Sequence, residues 1–281
     1  MTFELVPNLS EGRDPAIVDA CVAAVEATGA RVVHRTSDAA HHRSVLTILG
    51  GGDTLVDAAV ALAEVTTARI DLRAHRGVHP RIGALDVLPF VPLESATLAA
   101  AAALAHRAAE RIWERVGVPS YYYGAASASG RTLPAVRRGG FEGLAGRPDP
   151  PDVGAAGGHP SAGAIAVGAR PILVAFNVEL ATGDLAVATE IARIVRERDG
   201  GLRTVRALGL RIGPEVVQVS LNVTMYHATP LYRVVETVRA LAAERGVRVL
   251  GGELIGCLPF DAVVATAEYY LGIARPFPDP R

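Results

Sequence analysis

The alternation of hydrophobic periods along the chain constrains its fold more than any single residue. Residues 3–7 carry a strand-like apolar pattern, and Asn8-Leu9-Ser10-Glu11-Gly12-Arg13-Asp14-Pro15 reads as a turn leading into a helix. Asp14 and Pro15 then offer an N-cap and a first helical residue, and Ile17, Val18, Cys21, Val22 and Val25 recur at helical spacing until Gly29. Two strand-like runs, 32–36 and 44–49, flank the polar turn Ser37-Asp38-Ala39-Ala40-His41-His42-Arg43. Asp53 or Thr54 caps a second helix reaching Arg69, and 84–91 is again strand-like. The order β-α-β-β-α-β is the split βαβ, ferredoxin-like arrangement.

An Ala-rich helix over 93–115, a strand over 120–123 and a short helix over 132–138 follow. The order then returns: strand 172–179, helix 183–197, strands 204–212 and 216–224, helix 230–245 and strand 247–255, with a closing helix over 260–271. Val217, Val219, Leu221 and Val223 alternate with Gln218, Ser220 and Asn222, which predicts one buried and one polar face. Identity between the halves is low, so the repeat is one of pattern. We expect an α+β protein of two ferredoxin-like (βαββαβ) subdomains, residues 1–169 and 170–281.

Composition removes several function classes. Half of the 281 residues are hydrophobic and the formal net charge is −1, which fits a globular chain and gives no basis for nucleic-acid binding. All 28 basic residues are arginine, so neither a Schiff-base lysine nor a P-loop lysine is available. Such uniform usage reads as compositional bias, so arginine numbers alone carry no function. Cys21 and Cys257 lie on apolar patterns and are expected to be packed thiols. No leader pattern follows Met1, and no apolar run approaches the roughly 18 residues of a membrane helix. A cytoplasmic protein without a membrane partner is the expectation.

The densest polar stretch is Arg73 to Asp86, containing His75-Arg76-Gly77-Val78-His79-Pro80-Arg81-Ile82-Gly83-Ala84-Leu85-Asp86. His75 and His79 have a zinc-like spacing of four. However, Gly77 and Pro80 oppose the helix that spacing needs, and no HExxH pattern is present, so no metal is expected. One histidine suits proton transfer near neutral pH; hydrogen bonding to backbone in a surface loop is the equal alternative. If the turn 38–43 meets this stretch, Asp38, His41 or His42 could orient His79, and Arg43 could grip a substrate carboxylate. Otherwise that turn is a solvated hairpin.

Gly154-Ala155-Ala156-Gly157-Gly158-His159-Pro160-Ser161-Ala162-Gly163 has almost no side-chain bulk. It lacks GxGxxG order and the strand-to-helix context of a dinucleotide loop. Its exposed backbone suits a flat heterocycle with amide and amino groups; a linker is the alternative. Tyr121-Tyr122-Tyr123 could stack on a ring, although core packing is the default.

Several of these segments resemble the glutamate formimidoyltransferase family. Val6-Pro7-Asn8-Leu9-Ser10-Glu11-Gly12-Arg13 is similar to its VPNFSEG opening, and residues 75–86 to its H-x-G-x-HPR-x-GALD motif. Ala175-Phe176-Asn177-Val178, Gln218-Val219-Ser220-Leu221-Asn222 and Leu258-Pro259 match in the same order, so the likeness spans the chain. It covers the transferase part and not the cyclodeaminase domain fused to it in animals. The resemblance implies His79 as catalytic base, Gly154–Gly163 as part of the folate site, and Asn8, Arg43 and Arg81 on the substrates. It also implies a ligand channel between the subdomains, a homodimer, and tetrahydrofolate and L-glutamate as small-molecule partners, without a metal. Ala162 stands where animal enzymes have Trp, His42 where Asn is usual, and Val78 where an acid is common. These departures leave the donor open between formimino and formyl, and a folate-binding module without catalysis remains a third reading.

Overall fold

The computed structural model describes residues 1–77 and 80–273. The chain divides into two compact units, Met1–Pro171 and Ile172–Arg281. Among the described residues no helix is long and apolar enough to cross a membrane.

The first unit opens with β1 (Thr2–Leu5) and β2 (Asn8–Leu9), two pieces of one interrupted strand. Asn8 and Leu9, which the sequence suggests as part of a turn, pair instead with β4 (Arg43–Gly51) on one side and β5 (Leu85–Pro92) on the other. Between β2 and β4 along the chain come α1 (Pro15–Glu26) and β3 (Arg31–Asp38). Asp14 caps α1 as anticipated, accepting from the Ala16 amide, and Val18, Cys21 and Val25 are buried. The helix α2 (Gly52–Arg69) joins β4 to β5. Its N-cap is Gly51, with no side-chain cap; Asp53 lies in the first turn, where an acid suits the helix dipole. The four strand lines pair antiparallel in the order β3, β4, β1/β2, β5.

The sheet does not stop there. The helix α3 (Leu98–Val116) begins later than its apolar pattern suggests, because the Thr97 hydroxyl accepts from the Ala100 amide and sets the N-terminus. It returns the chain to β6 (Ser120–Gly124), followed by the short α4 (Leu133–Val136). A strand absent from the sequence reading, β7 (Ile165–Ala169), then inserts between β5 and β6, parallel to both. Every residue of β7 is buried, so its signal is a short continuous apolar run rather than an alternation, and five residues of that kind are ambiguous. The result is a seven-stranded sheet.

The second unit follows the expected order: β8 (Val174–Leu180), α5 (Leu185–Val195), β9 (Val205–Arg211), β10 (Val217–Val223), α6 (Leu231–Glu244), β11 (Val249–Ile255) and α7 (Phe260–Leu271). Its four strands lie in the order β11-β8-β10-β9, all antiparallel. Val217, Val219, Leu221 and Val223 are at most 1% exposed and join Val174, Phe176, Val178 and Leu180 in one core. The protein is therefore α+β, with one sheet per unit.

Candidate functional site

The polar stretch between α2 and β5 packs on the hairpin between β3 and β4, resolving an alternative the sequence leaves open. The His75 ring stands edge-on to His42, centroids 4.2 Å apart. Its Nε2 lies 3.1 Å from the His42 carbonyl oxygen, so Nε2 carries the proton and donates. Burial lowers the His75 pKa, keeping the ring neutral and this donor in place. A Cβ on Gly77 would come within 2.6 Å of the His41 carbonyl oxygen, so only glycine allows this approach. His42 itself takes a left-handed φ of 51°. Asp38 holds the hairpin, accepting from the His41 amide at 2.7 Å. Val78 and His79 lie outside the described residues.

Asp86 ties the stretch together. The residue is fully buried at the start of β5. Its Oδ1 accepts from the amides of Ile82 (2.7 Å) and Gly83 (3.2 Å), and its Oδ2 receives both Arg43 and Arg137. Burial alone would raise this carboxyl's pKa; the two guanidinium charges and the Ile82 amide overcome burial and hold it well below the usual carboxylate range. Arg43 also donates from Nε to Asn8 Oδ1 (3.1 Å) and from Nη1 to the Pro80 carbonyl (3.4 Å). Buried and held on three sides, Arg43 braces the Pro80–Gly83 turn, and Asn8 braces Arg43. Asn8 and Arg43, the residues expected on the substrates, thus both belong to the hydrogen-bond network around this turn. Burial is also why the Arg43 pKa falls to about 10.

Glu11 is a second buried carboxylate that sequence reasoning passed over. Its Oε1 accepts from the amides of Gly12, Arg13 and Asp14 at 2.8, 2.7 and 3.0 Å, forming an anion nest before α1. His42 Nε2 lies 3.8 Å away. Burial works against the charge, but the three amides and His42 lower the pKa on balance. The available signal was an acid just ahead of a capped helix start.

The Gly-rich loop belongs to the first unit and is not a linker. The Ser161 carbonyl accepts from the Leu72 amide and the Ala162 carbonyl from Ala84, each at 2.9 Å. Gly163 and His159 exchange backbone hydrogen bonds, and Ala164 donates to Ile82. His159 Nδ1 accepts from the Ala162 amide at 3.1 Å. Ala162 and Gly163 are buried, whereas Gly154 to Gly157 and Pro160 are exposed. The loop's end is therefore a clamp on the turn Ile82–Ala84, and its first half presents backbone to solvent. Gly163 has φ +72°, and a Cβ there would overlap the Ile82 carbonyl oxygen. Gly163→Ala should cost about 2–4 kcal/mol, from the left-handed φ plus the overlap. Urea unfolding followed by fluorescence of Trp113, the single tryptophan, measures it; an unchanged midpoint would show that the loop does not close this way.

Beside the clamp lies an open groove of about 680 Å³. Arg13, Arg73, Arg76 and Arg81 line it, with Glu142 as the acid on its wall. Arg81 donates to Glu142 Oε1 at 2.9 Å and reaches the carbonyls of Leu72 and His75 at 3.4 Å, while its buried Nε has no partner among the described residues. Phe141 lies under its guanidinium at 6.0 Å. Arg73 is paired with Asp71 at 2.7 Å, so the positive excess on this wall comes from Arg13 and Arg76, and it suits a carboxylate-bearing ligand.

Asn8, Arg43, Arg81 and the end of the Gly-rich loop, Ser161 to Gly163, are therefore brought to one place in the first unit. The tyrosines are not part of it: Tyr121 and Tyr123 are buried, and Tyr122 packs on His106 at 4.4 Å. Gln218, Ser220 and Asn222 stand on β10 of the second unit, where Ser220 faces Asn177 in register.

Two family models, described as the formiminotransferase domain, N-terminal subdomain, and the formiminotransferase domain, match residues 2–170 and 175–277. The chain belongs to the formiminotransferase family. Among proteins it is similar to, the glutamate formimidoyltransferase of Streptococcus pyogenes serotype M1 is 38% identical, covering 96% of this chain and 93% of that protein. That of Thermoplasma acidophilum is also 38% identical, with 95% and 91% covered. The formimidoyltransferase-cyclodeaminase of Gallus gallus is 36% identical over 95% of this chain but only 52% of its own length. In formiminotransferase terms, the clamp and groove belong to the part matched by the N-terminal subdomain model.

Proposed function

We propose that the chain transfers a formimino group between 5-formiminotetrahydrofolate and the α-amine of L-glutamate, with tetrahydrofolate as co-substrate. The carrying observation is the arginine-lined groove whose wall residues Gly77 and Arg81 flank His79-Pro80 in sequence. Family membership and the names of the two full-length relatives supply the reaction.

The glutamate ammonium is not nucleophilic. His79 accepts its proton as the nitrogen attacks the formimino carbon, and the C–N5 bond of the tetrahedral adduct breaks as a proton is delivered to N5. An imidazole of ordinary pKa near 6.5 can do both at neutral pH. Arg73, Arg76 and Arg81 receive the carboxylates of glutamate or of the folate tail. The exposed backbone of Gly154 to Gly157 offers donors and acceptors to the pterin edge. Holding both substrates on one rigid wall supplies much of the rate. We take the enzyme to act as a cytoplasmic homodimer, as the family resemblance implies.

Incubation with tetrahydrofolate and either N-formimidoyl-L-glutamate or N-formyl-L-glutamate tests the reading. Turnover of the formimidoyl donor is expected. Turnover of the formyl donor alone would replace the proposal with a glutamate N-formyltransferase, and folate binding without turnover of either would leave a binding module.

A further inference from the structure

The buried ion group at Asp86 is unbalanced. Arg43 and Arg137 both donate to the same oxygen of one carboxylate. Asp86 is fully buried, and the two arginine side chains are 7% and 15% exposed. Asp86 is the acid that Arg43 and Arg137 are each paired with, so two positive charges face one negative charge. A charge taken from water requires a counter-charge and hydrogen bonds, or it remains costly.

The two arginines are not equivalent. Arg43 is held from Nε, Nη1 and Nη2 by Asn8, Pro80 and Asp86. Arg137 donates to Asp86 from Nη2, while its buried Nε has no hydrogen-bond partner among the described residues. It is also the more exposed of the two. Arg137 is the C-cap of α4, so its pair with Asp86 links that helix to the stretch. Through Asp86 Oδ1 the guanidinium is tied to the amides of Ile82 and Gly83, three and four residues after His79. It is a preset cation beside the turn that follows the proposed base, with hydrogens to spare.

We propose that Arg137 is a substrate-binding residue that takes a carboxylate of the glutamate-bearing substrate, with Asp86 setting its orientation. This rests on the transfer reaction proposed above. A planar carboxylate matches the guanidinium fork and supplies the missing negative charge. Burial is the main reason the Arg43 pKa is lowered; Asp86 opposes that shift and the Arg137 charge adds to it.

The test compares wild type with Arg137→Met, which keeps the length and removes charge and donors. KM for N-formimidoyl-L-glutamate should rise roughly 10- to 100-fold, the usual worth of hydrogen bonds to a charged group, while the Kd for tetrahydrofolate stays unchanged. Glutarate, a dicarboxylate without the reacting nitrogen, should raise the Tm of wild type and not of Arg137→Met. Should Arg137→Met fail to fold, Arg137→Lys keeps the charge without the fork and should still raise KM. An unchanged KM with equal glutarate protection in the folded variant overturns the proposal and leaves Arg137 a structural clamp. If wild type turns over neither donor, the reaction fails, and the glutarate shift still decides the carboxylate site by itself.

Discussion

Asp86→Asn should destabilise the first unit by about 3–5 kcal/mol, the usual result of removing one partner from a buried ion group. The amide still offers Oδ1 to the Ile82 and Gly83 amides, so the loss is electrostatic. Arg43 and Arg137 would then face each other across a neutral group, with desolvation uncompensated. Trp113 lies in α3 of the same unit, so its fluorescence in urea reports this unit directly. The pH dependence gives a second check. The folded Asp86 carboxyl is depressed, so its stabilisation is fully present above the unfolded value of about 3.9 and is lost as pH falls toward the folded value. The gap between wild type and Asp86→Asn should therefore be constant from pH 5 to 7, on the order of the figure above, and should narrow in acid below about pH 4. A variant as stable as wild type at pH 7, or a gap that does not respond to acid, would mean that the pair is solvated and incidental.

His79→Ala should lower kcat by roughly 10²–10⁴-fold, the contribution of a positioned general base, with tetrahydrofolate affinity retained. The expectation rests on chemistry and sequence. The nucleophile arrives protonated, the reaction needs one acceptor near neutral pH, and the second histidine of the motif already has a task. His75 uses Nε2–H on the His42 carbonyl, and burial holds its pKa down. The acid limb of the wild-type rate profile should vanish in the variant, and added imidazole should restore part of the rate. Equal turnover in both proteins would remove His79 from the mechanism and turn attention to His75.

Much of the fold was legible because its elements are locally encoded. Asp14 before Pro15, the 3.6 period of α1 and the alternation on β10 each predict their own segment, and the structure has all three, although Gln218 on the expected polar face of β10 is buried. The failures share a cause. Asn8 and Leu9 look like a turn, yet β4 and β5 supply the partners that make them a strand. β7 is five buried residues without alternation, and only its parallel neighbours reveal it. The Gly-rich loop has the composition of a linker, but its carbonyls are fastened to Leu72 and Ala84.

By itself the sequence determined the α+β class, the two successive pattern repeats, the absence of lysine chemistry and the motif that marks the family. Periodicity and residue type are enough for these, since each depends on neighbours within a few positions. Only the tertiary structure decided what the polar residues do. Arg43 lies 43 residues from Asp86 along the chain and Arg137 lies 51 away. No local rule anticipates that both meet one carboxylate. Their roles follow from burial and from which hydrogens remain unpaired. The fold joined Asn8 to Arg43, and Arg43 and Arg137 to Asp86, giving one buried acid two cations next to the Ile82–Gly83 amides.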